Sequence, residues 1–274
     1  MEKVKVRVPA STTNLGPGFD CLGLALKLYN TVEMEKIEGN EVIIEISGEG
    51  EKELPRDEKN IIFPAAKMVF DRVGEDFSGL RIREVNSIPI CKGLGSSGAA
   101  LLAVTIAANA LLEAGLTESE ILNSAAQLDG HPDNVAASLF GGLVVVSPDK
   151  GELKWLKLDI PEGLKVVLTI PEMEVLTENA RSILPKNVSF SDAVFSLSRA
   201  AMLTSSLIKG KWDYLSLATE DKLHQPYRKS LIPGMDEVFE SARRAGARGV
   251  FLSGAGSGIA ALSDREEKKI GEAM

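Results

Sequence analysis

A glycine-rich stretch placed directly before a helix constrains this chain more than any other feature. Residues Pro89 to Ala100 have the sequence PICKGLGSSGAA, and an apolar run without proline follows from Ala99 to Leu112. Gly93 and Gly95 lack a Cβ, so the backbone there can adopt positive φ and bring its N–H groups close to a ligand. A helix start also offers unpaired N–H groups and a partial positive charge, which together favour an anion. The stretch therefore predicts a phosphate-binding turn.

Three other interpretations of this stretch are a simple helix cap, a Walker A loop and a nucleophile elbow. Ser96 and Ser97 open the predicted helix, where serine is a preferred N-cap, so a turn that only caps the helix is the simple alternative. A Walker A loop ends in Gly-Lys-Ser/Thr, whereas Lys92 precedes Gly93 here. The nucleophile elbow Gly-x-Ser-x-Gly would need glycine in place of Ala99. A serine hydroxyl at a phosphate site could also reach the magnesium ion that accompanies a nucleotide.

Composition indicates a globular chain of one large domain or two ordinary ones. Of its 274 residues, 44% are hydrophobic and 26% are charged. The net charge of -8 and the pI near 5.1 disfavour a nucleic-acid or anionic-membrane partner, because phosphate backbones are met by clustered lysine and arginine. The sequence has no signal-peptide core and no apolar run of membrane-spanning length, and Cys21 and Cys91 fit no metal spacing. We therefore expect a cytoplasmic protein with free thiols and neither a nucleic-acid nor a membrane partner.

Two further segments combine glycine with polar side chains. Pro9 to Gly23 contains mostly turn residues, and we expect a long functional loop that closes over a ligand with Asn14 and Asp20. An elaborate surface loop, in which Asn and Asp form their own turns, is the alternative. Asp129 to Asn134, sequence DGHPDN, lies at the end of a predicted helix over 117–128. Such a cluster of histidine, aspartate and asparagine suits a substrate or metal site better than a structural role.

The remaining pattern predicts mixed α and β structure. Strands are predicted over 1–9, 29–34, 41–46, 80–86, 143–147, 153–158 and 165–170, with a hairpin at 38–40. Helices are predicted over 60–73, 99–112, 117–128, 191–209, 212–219 and 235–245, and Thr117 with Glu120 forms a capping-box pattern. A turn at 148–152 predicts a boundary between domains 1–150 and 151–274. Residues 249–262 form a strand, a glycine loop and a strand; Ile259 replaces the glycine that a dinucleotide fingerprint requires.

Three of these segments, in this order, resemble the motifs of the GHMP small-molecule kinases. PASTTNLGPGFDCLG resembles the first motif, PICKGLGSSGAA the phosphate loop with its pattern Pro-x3-Gly-Leu-Gly-Ser-Ser, and SGAGSG the third motif, which closes beside that loop. The first motif and GHPDNVA are similar to the homoserine kinase branch in particular. The resemblance spans Pro9 to Leu262 and implies a two-domain α+β GHMP kinase fold. Residues 1–150 would resemble domain 2 of ribosomal protein S5, residues 151–274 would form a ferredoxin-like α/β sandwich, and the site would lie between them.

The same resemblance implies ATP and Mg²⁺ as cofactors and L-homoserine as the small-molecule substrate. ATP would be bound by Asn60, Pro89, Lys92, Gly93, Leu94, Gly95, Ser96, Ser97, Gly254 and Gly256. The substrate would be bound by Asn14, Asp20, His131, Asn134, Thr177, Arg181 and Arg228. The metal ligands would be Ser97 and Asp129, which together with Asn134 are the predicted catalytic residues. The negative charge of Asp20 suits an ammonium group, and the positive charges of Arg181 and Arg228 suit a carboxylate that accepts bidentate hydrogen bonds.

The sequence departs from the family pattern in three places. Asp129 replaces the glutamate of much of the family, which leaves its metal role open. Asn134 lies where mevalonate kinase and galactokinase have an aspartate base. Because phosphoryl transfer depends mainly on positioning and charge neutralisation, we expect direct attack by the substrate hydroxyl without a base. Past the helix that begins near Asp264, the homoserine kinase pattern continues into another strand, so either that strand is dispensable or the sequence is truncated.

Two alternatives to a homoserine-type activity stay open at this point. Shikimate and mevalonate have a carboxylate but no ammonium, so Asp20 favours an amino acid over either of them. A catalytically inactive nucleotide-binding relative is favoured only by Asp129, since the glycines and serines of the phosphate loop are intact. The sequence leaves feedback regulation and the oligomeric state open, with a homodimer as one alternative.

Overall fold

A computed structural model describes residues 2–274 and contains two sheets with helices packed on them. The strands are β1 (Lys3–Asn14), β2 (Gly18–Lys36), β3 (Val42–Gly48), β4 (Leu80–Asn86), β5 (Leu143–Asp149), β6 (Glu152–Leu158), β7 (Lys165–Thr169), β8 (Gly249–Leu252) and β9 (Ile259–Ser263). The helices are α1 (Ile62–Val73), α2 (Ser96–Leu111), α3 (Glu118–Asp129), α4 (Pro132–Phe140), α5 (Thr177–Ser182), α6 (Phe190–Lys209), α7 (Leu215–Ala218), α8 (Gln225–Arg228), α9 (Met235–Ala245) and α10 (Glu267–Ala273). Single 3₁₀ turns cover Trp212–Tyr214 and Lys229–Leu231.

The larger sheet has the order β3-β4-β2-β5-β6, with β1 paired to β2. The β3–β4 pair is parallel, and the other pairs are antiparallel. Helices α1 to α4 and the inner side chains of this sheet form the main hydrophobic core. Helix α2 lies at its centre, with Ala99 to Ala103 buried, because its sequence is apolar on every face. The core therefore holds the start of α2 in a fixed position.

The smaller sheet has the order β7-β9-β8, and all its pairs are antiparallel. Apolar side chains of α9 and α10 pack with those of β8 and β9 in a second core. Helix α9 has acidic residues in its first turn and Arg243 and Arg244 in its last, which suits the helix dipole. This architecture agrees with the predicted two-domain fold, and Cys21 and Cys91 are free thiols, as predicted.

Several local predictions are confirmed. Strand β4 has the predicted bounds. The capping box of α3 is present: Thr117 Oγ1 accepts a hydrogen bond from the Glu120 N–H at 3.3 Å, and the Glu120 carboxylate accepts one from the Thr117 N–H at 2.9 Å. Gly93 and Gly95 have φ of 70° and 68°. The turn residues and caps in these segments therefore act locally, as their chemistry predicts.

The prediction of a long loop over Pro9 to Gly23 is wrong. Strand β1 continues to Asn14 and β2 begins at Gly18, so only three residues turn the chain between two paired strands. Register shifts interrupt the pairing between Pro9 and Ser11 and again at Asn14. Threonine and serine in this segment are buried in the strand, because their hydroxyl groups find partners elsewhere in the fold. These buried polar residues gave the segment the composition of a loop although it forms strands.

The hairpin predicted at 38–40 is also wrong. Strand β4 lies between β2 and β3, antiparallel to the first and parallel to the second. A turn signal is local, whereas the insertion of a strand from residues 80–86 depends on contacts far along the chain.

The predicted domain boundary at residue 150 falls inside a pair of neighbouring strands. Strand β6 follows that residue and pairs with β5 from Leu158 to Glu152, so it extends the larger sheet. The chain reaches the smaller sheet only at Lys165. The division into 1–150 and 151–274 stays a prediction. Among residues 2–274 no helix is long and apolar enough to cross a membrane.

Candidate active site

A cleft lies where the start of α2 faces the β8–β9 loop and the segment that leads into α5. It brings together sixteen of the residues that the sequence predicted, namely Asn14, Asp20, Pro89, Lys92, Gly93, Leu94, Gly95, Ser96, Ser97, Asp129, His131, Asn134, Thr177, Arg181, Arg228 and Gly254. Asn60 lines a neighbouring pocket that shares Ser96 and Ser97 with the cleft. Gly256 lines neither cavity; a Cβ on it would lie 2.7 Å from Ile232 Cδ1.

The phosphate loop is held in a shape that requires glycine. A Cβ on Gly93 would lie 2.0 Å from the Ser253 carbonyl oxygen, and one on Gly95 would lie 2.3 Å from Ser11 Oγ. Among residues 2–274 no side chain caps α2, and the backbone N–H groups of residues 96–98 make no hydrogen bond. Capping by serine, the simple alternative from the sequence, is therefore absent, and these N–H groups are available to an anion.

The two serines at the start of α2 differ in their surroundings. The Ser96 hydroxyl donates a hydrogen bond to the Ile88 carbonyl at 3.2 Å and so fixes the turn. Ser97 is exposed, and its hydroxyl makes no hydrogen bond within the described part of the chain. Ser97 is therefore the serine that can reach a metal ion or a phosphate.

The β8–β9 loop fastens the phosphate loop to β1. The Ser253 hydroxyl donates to the Gly93 carbonyl at 2.7 Å and lies 2.8 Å from Thr12 Oγ1. The Gly254 N–H donates to the Thr13 carbonyl at 3.3 Å. Residues distant in the chain thus hold the loop from behind, which suits a site that must keep its shape when a nucleotide binds.

Three predicted ligand residues already have protein partners. Lys92 Nζ donates to the carbonyls of Glu172 and Met173 at 2.5 and 2.9 Å, so its ammonium anchors a neighbouring segment. Asn14 Oδ1 accepts from the Asp20 N–H at 3.0 Å, and its Nδ2 donates to Gly254 at 3.0 Å. Asn60 Oδ1 accepts from the Ile62 N–H at 3.1 Å, and Nδ2 donates to Pro55 at 2.7 Å. In this structure these side chains order the walls of the site.

Opposite charges face each other at the mouth of the cleft. The Asp20 carboxylate accepts two hydrogen bonds from the Arg181 guanidinium, both at 2.9 Å. The two side chains remain 37% and 44% exposed, so a ligand can reach either of them. Thr177 lies one turn before Arg181 on α5 and lines the same cleft.

Arg228 differs from Arg181 because it is almost completely buried. Its Nε donates to the Ala180 carbonyl at 3.1 Å and its Nη1 to the Gly254 carbonyl at 3.0 Å. Nη2 makes no hydrogen bond within residues 2–274, and the residue lines the cleft. Burial is the largest cause that lowers the pKa of this guanidinium to about 10, and the charge of Arg181 adds to it. The group stays cationic at neutral pH, and no carboxylate in the described part of the chain forms an ion pair with it.

His224 is a part of the site that sequence reasoning missed. Its Nδ1 lies 3.3 Å from Arg228 Nη1, its Nε2 lies 2.7 Å from the Gly16 carbonyl oxygen, and its ring stacks on Phe19. Burial lowers the pKa of the imidazole to about 4, so it is neutral. With Nε2 donating to Gly16, Nδ1 accepts from Arg228 and orients it. No motif or spacing distinguishes this histidine from an ordinary core residue.

The Asp129 to Asn134 cluster contains two acids with different surroundings. The Asp129 carboxylate lies 3.4 Å from His131 Nδ1, and this contact is the main cause that raises the pKa of His131. Asp133 is fully buried and accepts a hydrogen bond from the Asn134 N–H at 2.9 Å. Burial, then the charge of Asp20, raises the pKa of Asp133 to about 6. No sequence pattern selects Asp133 over Asp129.

The Asn134 amide is fixed against the phosphate loop. Its Oδ1 accepts from the Ser11 hydroxyl at 3.0 Å, and its Nδ2 donates to Thr13 Oγ1 at 3.4 Å. A Cβ on Gly95 would lie only 2.8 Å from Asn134 Oδ1. Any group bound to the loop at Gly95 therefore lies beside this amide.

The residues present suit Mg²⁺ as an ion shared with a nucleotide. Asp129 Oδ2 would lie 3.1 Å from a Cβ on Gly98, so this carboxylate is at the start of α2 near Ser97. Within residues 2–274 no group of three His, Cys, Asp or Glu side chains could hold a metal ion. Mg²⁺ usually takes one or two protein carboxylates and completes its shell with phosphates and water. One carboxylate and one free hydroxyl beside a phosphate site fit that pattern.

Comparison with known proteins agrees with this geometry. The family models described as GHMP kinases N terminal domain and GHMP kinases C terminal match residues 60–142 and 204–274. The homoserine kinase of Caldicellulosiruptor saccharolyticus is 46% identical over 95% of this chain and 84% of its own length. That of Moorella thermoacetica is 45% identical over 98% and 90%.

A solved structure extends the likeness to the whole fold. The crystal structure of the homoserine kinase from Cytophaga hutchinsonii superposes with a TM-score of 0.91 at 33% identity, over 100% of this chain and 89% of that one. The similarity to homoserine kinases therefore covers both the sequence and the arrangement of the sheets. The chain belongs to the GHMP kinase family, in its homoserine kinase branch.

Proposed function

We propose that this protein transfers the γ-phosphoryl group of ATP to the hydroxyl group of L-homoserine, giving O-phospho-L-homoserine. The observation that supports this most is that unpaired N–H groups of the phosphate loop and an Asp20–Arg181–Arg228 charge group line one cleft. The first can bind the phosphates of a nucleotide, and the second can bind an amino acid through its two charges.

In this proposal the charged groups of the substrate replace the contacts that Asp20 and Arg181 make with each other. The substrate ammonium pairs with Asp20, and its carboxylate pairs with Arg181 and with the free Nη2 of Arg228. His224 keeps Arg228 oriented. Thr177 and His131 line the same cleft and can form neutral hydrogen bonds with the substrate. The site is thus complementary to a zwitterion, which shikimate and mevalonate are not.

The phosphoryl end of the reaction lies at the start of α2. The N–H groups of residues 96–98 stabilise negative charge that develops on the transferred group. The Asn134 amide, fixed by Ser11 and Thr13, positions the attacking hydroxyl beside Gly95. The hydroxyl attacks phosphorus directly, the bond to the bridging oxygen of ADP breaks, and the hydroxyl proton passes to phosphate or water. Ser97 and Asp129 would hold Mg²⁺, which neutralises phosphate charge when bound.

A screen of acceptor substrates tests the proposal directly. We expect ATP- and magnesium-dependent release of ADP with L-homoserine, and much slower release with threonine, serine, shikimate or mevalonate. Product identity is checked by phosphorus NMR of the isolated phosphate ester. Equal rates with shikimate or mevalonate would contradict the amino-acid site, and an absence of turnover with every acceptor, with ADP still bound, would indicate an inactive relative. A cytoplasmic location, a homodimer and the lack of nucleic-acid or membrane partners stay predictions.

A further inference from the structure

One aromatic ring lies against both arginines of the proposed carboxylate site and against the histidine behind one of them. The centre of the Phe19 ring is 5.5 Å from the guanidinium carbon of Arg181 and 5.3 Å from that of Arg228. The same ring stacks on His224, with the ring centres 5.1 Å apart and an angle of 29° between the ring planes. Both guanidinium distances are within the roughly 6 Å at which an aromatic ring attracts a cation. Phe19 therefore joins the exposed arginine of the site to the buried one.

The Phe19 ring does not line the cleft, whereas Arg181 and Arg228 both do. Its effect on a ligand therefore has to pass through the arginines. An aromatic face attracts a guanidinium without accepting its N–H groups, which stay free to bind a carboxylate. A carboxylate in the same place would pair with the arginines and compete with the ligand for them. An aromatic side chain is thus the kind of group that can hold two arginines and leave their donors available.

The guanidinium of Arg181 needs such support once a ligand binds. Within residues 2–274 all its hydrogen bonds go to Asp20, and the proposed reaction breaks them. The contact with Phe19 remains and holds the half-exposed guanidinium in place. The guanidinium of Arg228 keeps its hydrogen bonds to two carbonyl groups, but the positive charge of Arg181 acts against it. Attraction of both groups to one ring opposes this repulsion.

We propose that Phe19 is a positioning residue, which holds the guanidinium groups of Arg181 and Arg228 together as one carboxylate site. This role rests on the proposed function, in which the carboxylate belongs to L-homoserine, and adds the residue that prepares the two arginines for it. Groups that are already in place lose less conformational entropy on binding, so the ring should act on substrate affinity more than on phosphoryl transfer. The nucleotide, whose phosphates bind at the start of α2, should not be affected.

Replacement of the ring by an aliphatic side chain is the first test. We expect Phe19→Leu to raise KM for L-homoserine at least tenfold, or about 1.4 kcal/mol, while kcat and KM for ATP stay within about twofold. Phe19→Tyr keeps an aromatic face and should stay within about threefold of the parent. Phe195→Leu is the matched control, because the Phe195 ring also lies against two cations, Arg199 at 4.3 Å and Lys222 at 4.8 Å, away from the cleft. It should keep every constant.

Fluorinated phenylalanines at position 19 separate the electrostatic role of the ring from its packing. Fluorine withdraws electron density from the aromatic face and weakens its attraction for cations, with little change of shape. With one, two and three fluorine atoms on the ring, we expect KM for L-homoserine to rise stepwise, by about threefold or more in total, at constant kcat. A ring that only fills space would give the same KM throughout the series. That result overturns the proposal, as does an unchanged KM in folded Phe19→Leu or an equal rise of both KM values.

A ligand without a carboxylate shows whether the effect passes through the arginines. 3-Amino-1-propanol has the ammonium and the hydroxyl of L-homoserine but lacks the carboxylate. Its inhibition constant against L-homoserine should therefore be the same in the parent and in Phe19→Leu. A loss of affinity as large as the loss for L-homoserine would contradict the proposal, because the ring would then act on some other part of the site.

Equilibrium binding separates this role of Phe19 from the proposed function. L-Homoserine can be titrated by calorimetry without any nucleotide, and its Kd should respond to Phe19→Leu and to fluorination as KM does. If Kd responds in this way while ATP is not consumed, the proposed function fails and the role of Phe19 stands. If L-homoserine is phosphorylated and neither Kd nor KM responds, the reverse holds. If the parent protein does not bind L-homoserine at all, both fail.

Discussion

Asp20 and Arg181 are 161 residues apart in the chain and form a two-point ion pair across the mouth of the cleft, with both contacts at 2.9 Å. An exposed pair of this kind stabilises a fold by no more than about 1 kcal/mol, so breaking it for a ligand costs the fold little. In the proposed reaction this ion pair breaks, so that Asp20 pairs with the substrate ammonium and Arg181 with the substrate carboxylate.

Removal of Arg181 should therefore affect the amino acid and not the nucleotide. We expect Arg181→Met to raise KM for L-homoserine strongly, because the substrate carboxylate loses a bidentate partner, whereas KM for ATP barely changes. Asp20→Asn should likewise weaken homoserine binding. Arg199→Met removes another arginine paired with a carboxylate, Glu220, away from the cleft, and serves as the matched control. Unchanged homoserine binding in both site variants would place the amino-acid site elsewhere.

Ser97 should matter for turnover because its hydroxyl is free at the start of α2. We expect Ser97→Ala to lower kcat by more than tenfold, or about 1.4 kcal/mol of transition-state stabilisation, at saturating ATP. The dependence on magnesium concentration should shift to higher values in the same variant. Ser198→Ala on α6, whose hydroxyl donates to Phe195, is the control. If Ser97→Ala keeps the parental kcat, Ser97 has only a structural role. Undiminished turnover after removal of all divalent metal would show that the reaction does not require a metal ion.

Local chemistry made the phosphate loop, the α3 capping box and β4 predictable from sequence. The glycines have a φ that other residues rarely adopt, and a capping box needs only four neighbouring residues. The segment from Pro9 to Gly23 was not predictable in the same way. Its hydroxyl groups find partners such as Ser253, more than two hundred residues away, and such contacts leave no local pattern.

The same distinction between local patterns and distant contacts applies to the candidate site. Most of the residues that resemble family motifs lie in the cleft, whereas the contact of buried His224 with Arg228 became visible only in the structure. Lys92 illustrates the opposite case, because its position in the loop suggested a phosphate contact and the fold uses its ammonium for two carbonyls. Burial and partner geometry depend on tertiary structure, so no sequence pattern could have supplied them.

His224 should act on the substrate through Arg228. His224→Phe keeps an aromatic ring beside Phe19 but leaves Arg228 Nη1 without its imidazole acceptor and the Gly16 carbonyl without its donor. We expect KM for L-homoserine to rise while KM for ATP stays constant. The free energy of unfolding should fall by about 1–3 kcal/mol, as measured by urea denaturation. Equal increases of both KM values would indicate a general loss of structure instead.

Glu84 should make the stability of the protein depend on pH. Burial raises the pKa of this carboxyl group from 4.5 to about 7, so between these values the folded state binds more protons than the unfolded state. Its contribution to stability is therefore present below pH 4.5 and is lost as pH rises through 7. Relative to the parent, Glu84→Met should gain up to about 3 kcal/mol of unfolding free energy between pH 4.5 and pH 8. Urea denaturation at both values measures this, and parallel pH profiles would contradict it.

Asp133 is the acid whose position best tests whether the reaction needs a general base. It is buried beside Asn134, and its pKa is raised to about 6, so it could accept a proton near neutral pH. Asp133→Asn keeps an oxygen that can accept the Asn134 N–H but removes the basic group. If the hydroxyl attacks without a base, kcat should fall by less than tenfold, and any loss of rate should be the same from pH 5.5 to pH 8. A hundredfold loss, together with the disappearance of an ionisation near pH 6 from the kcat profile of the parent, would instead make Asp133 the base. Single-turnover rates are the measurement to use, because they exclude product release from the comparison.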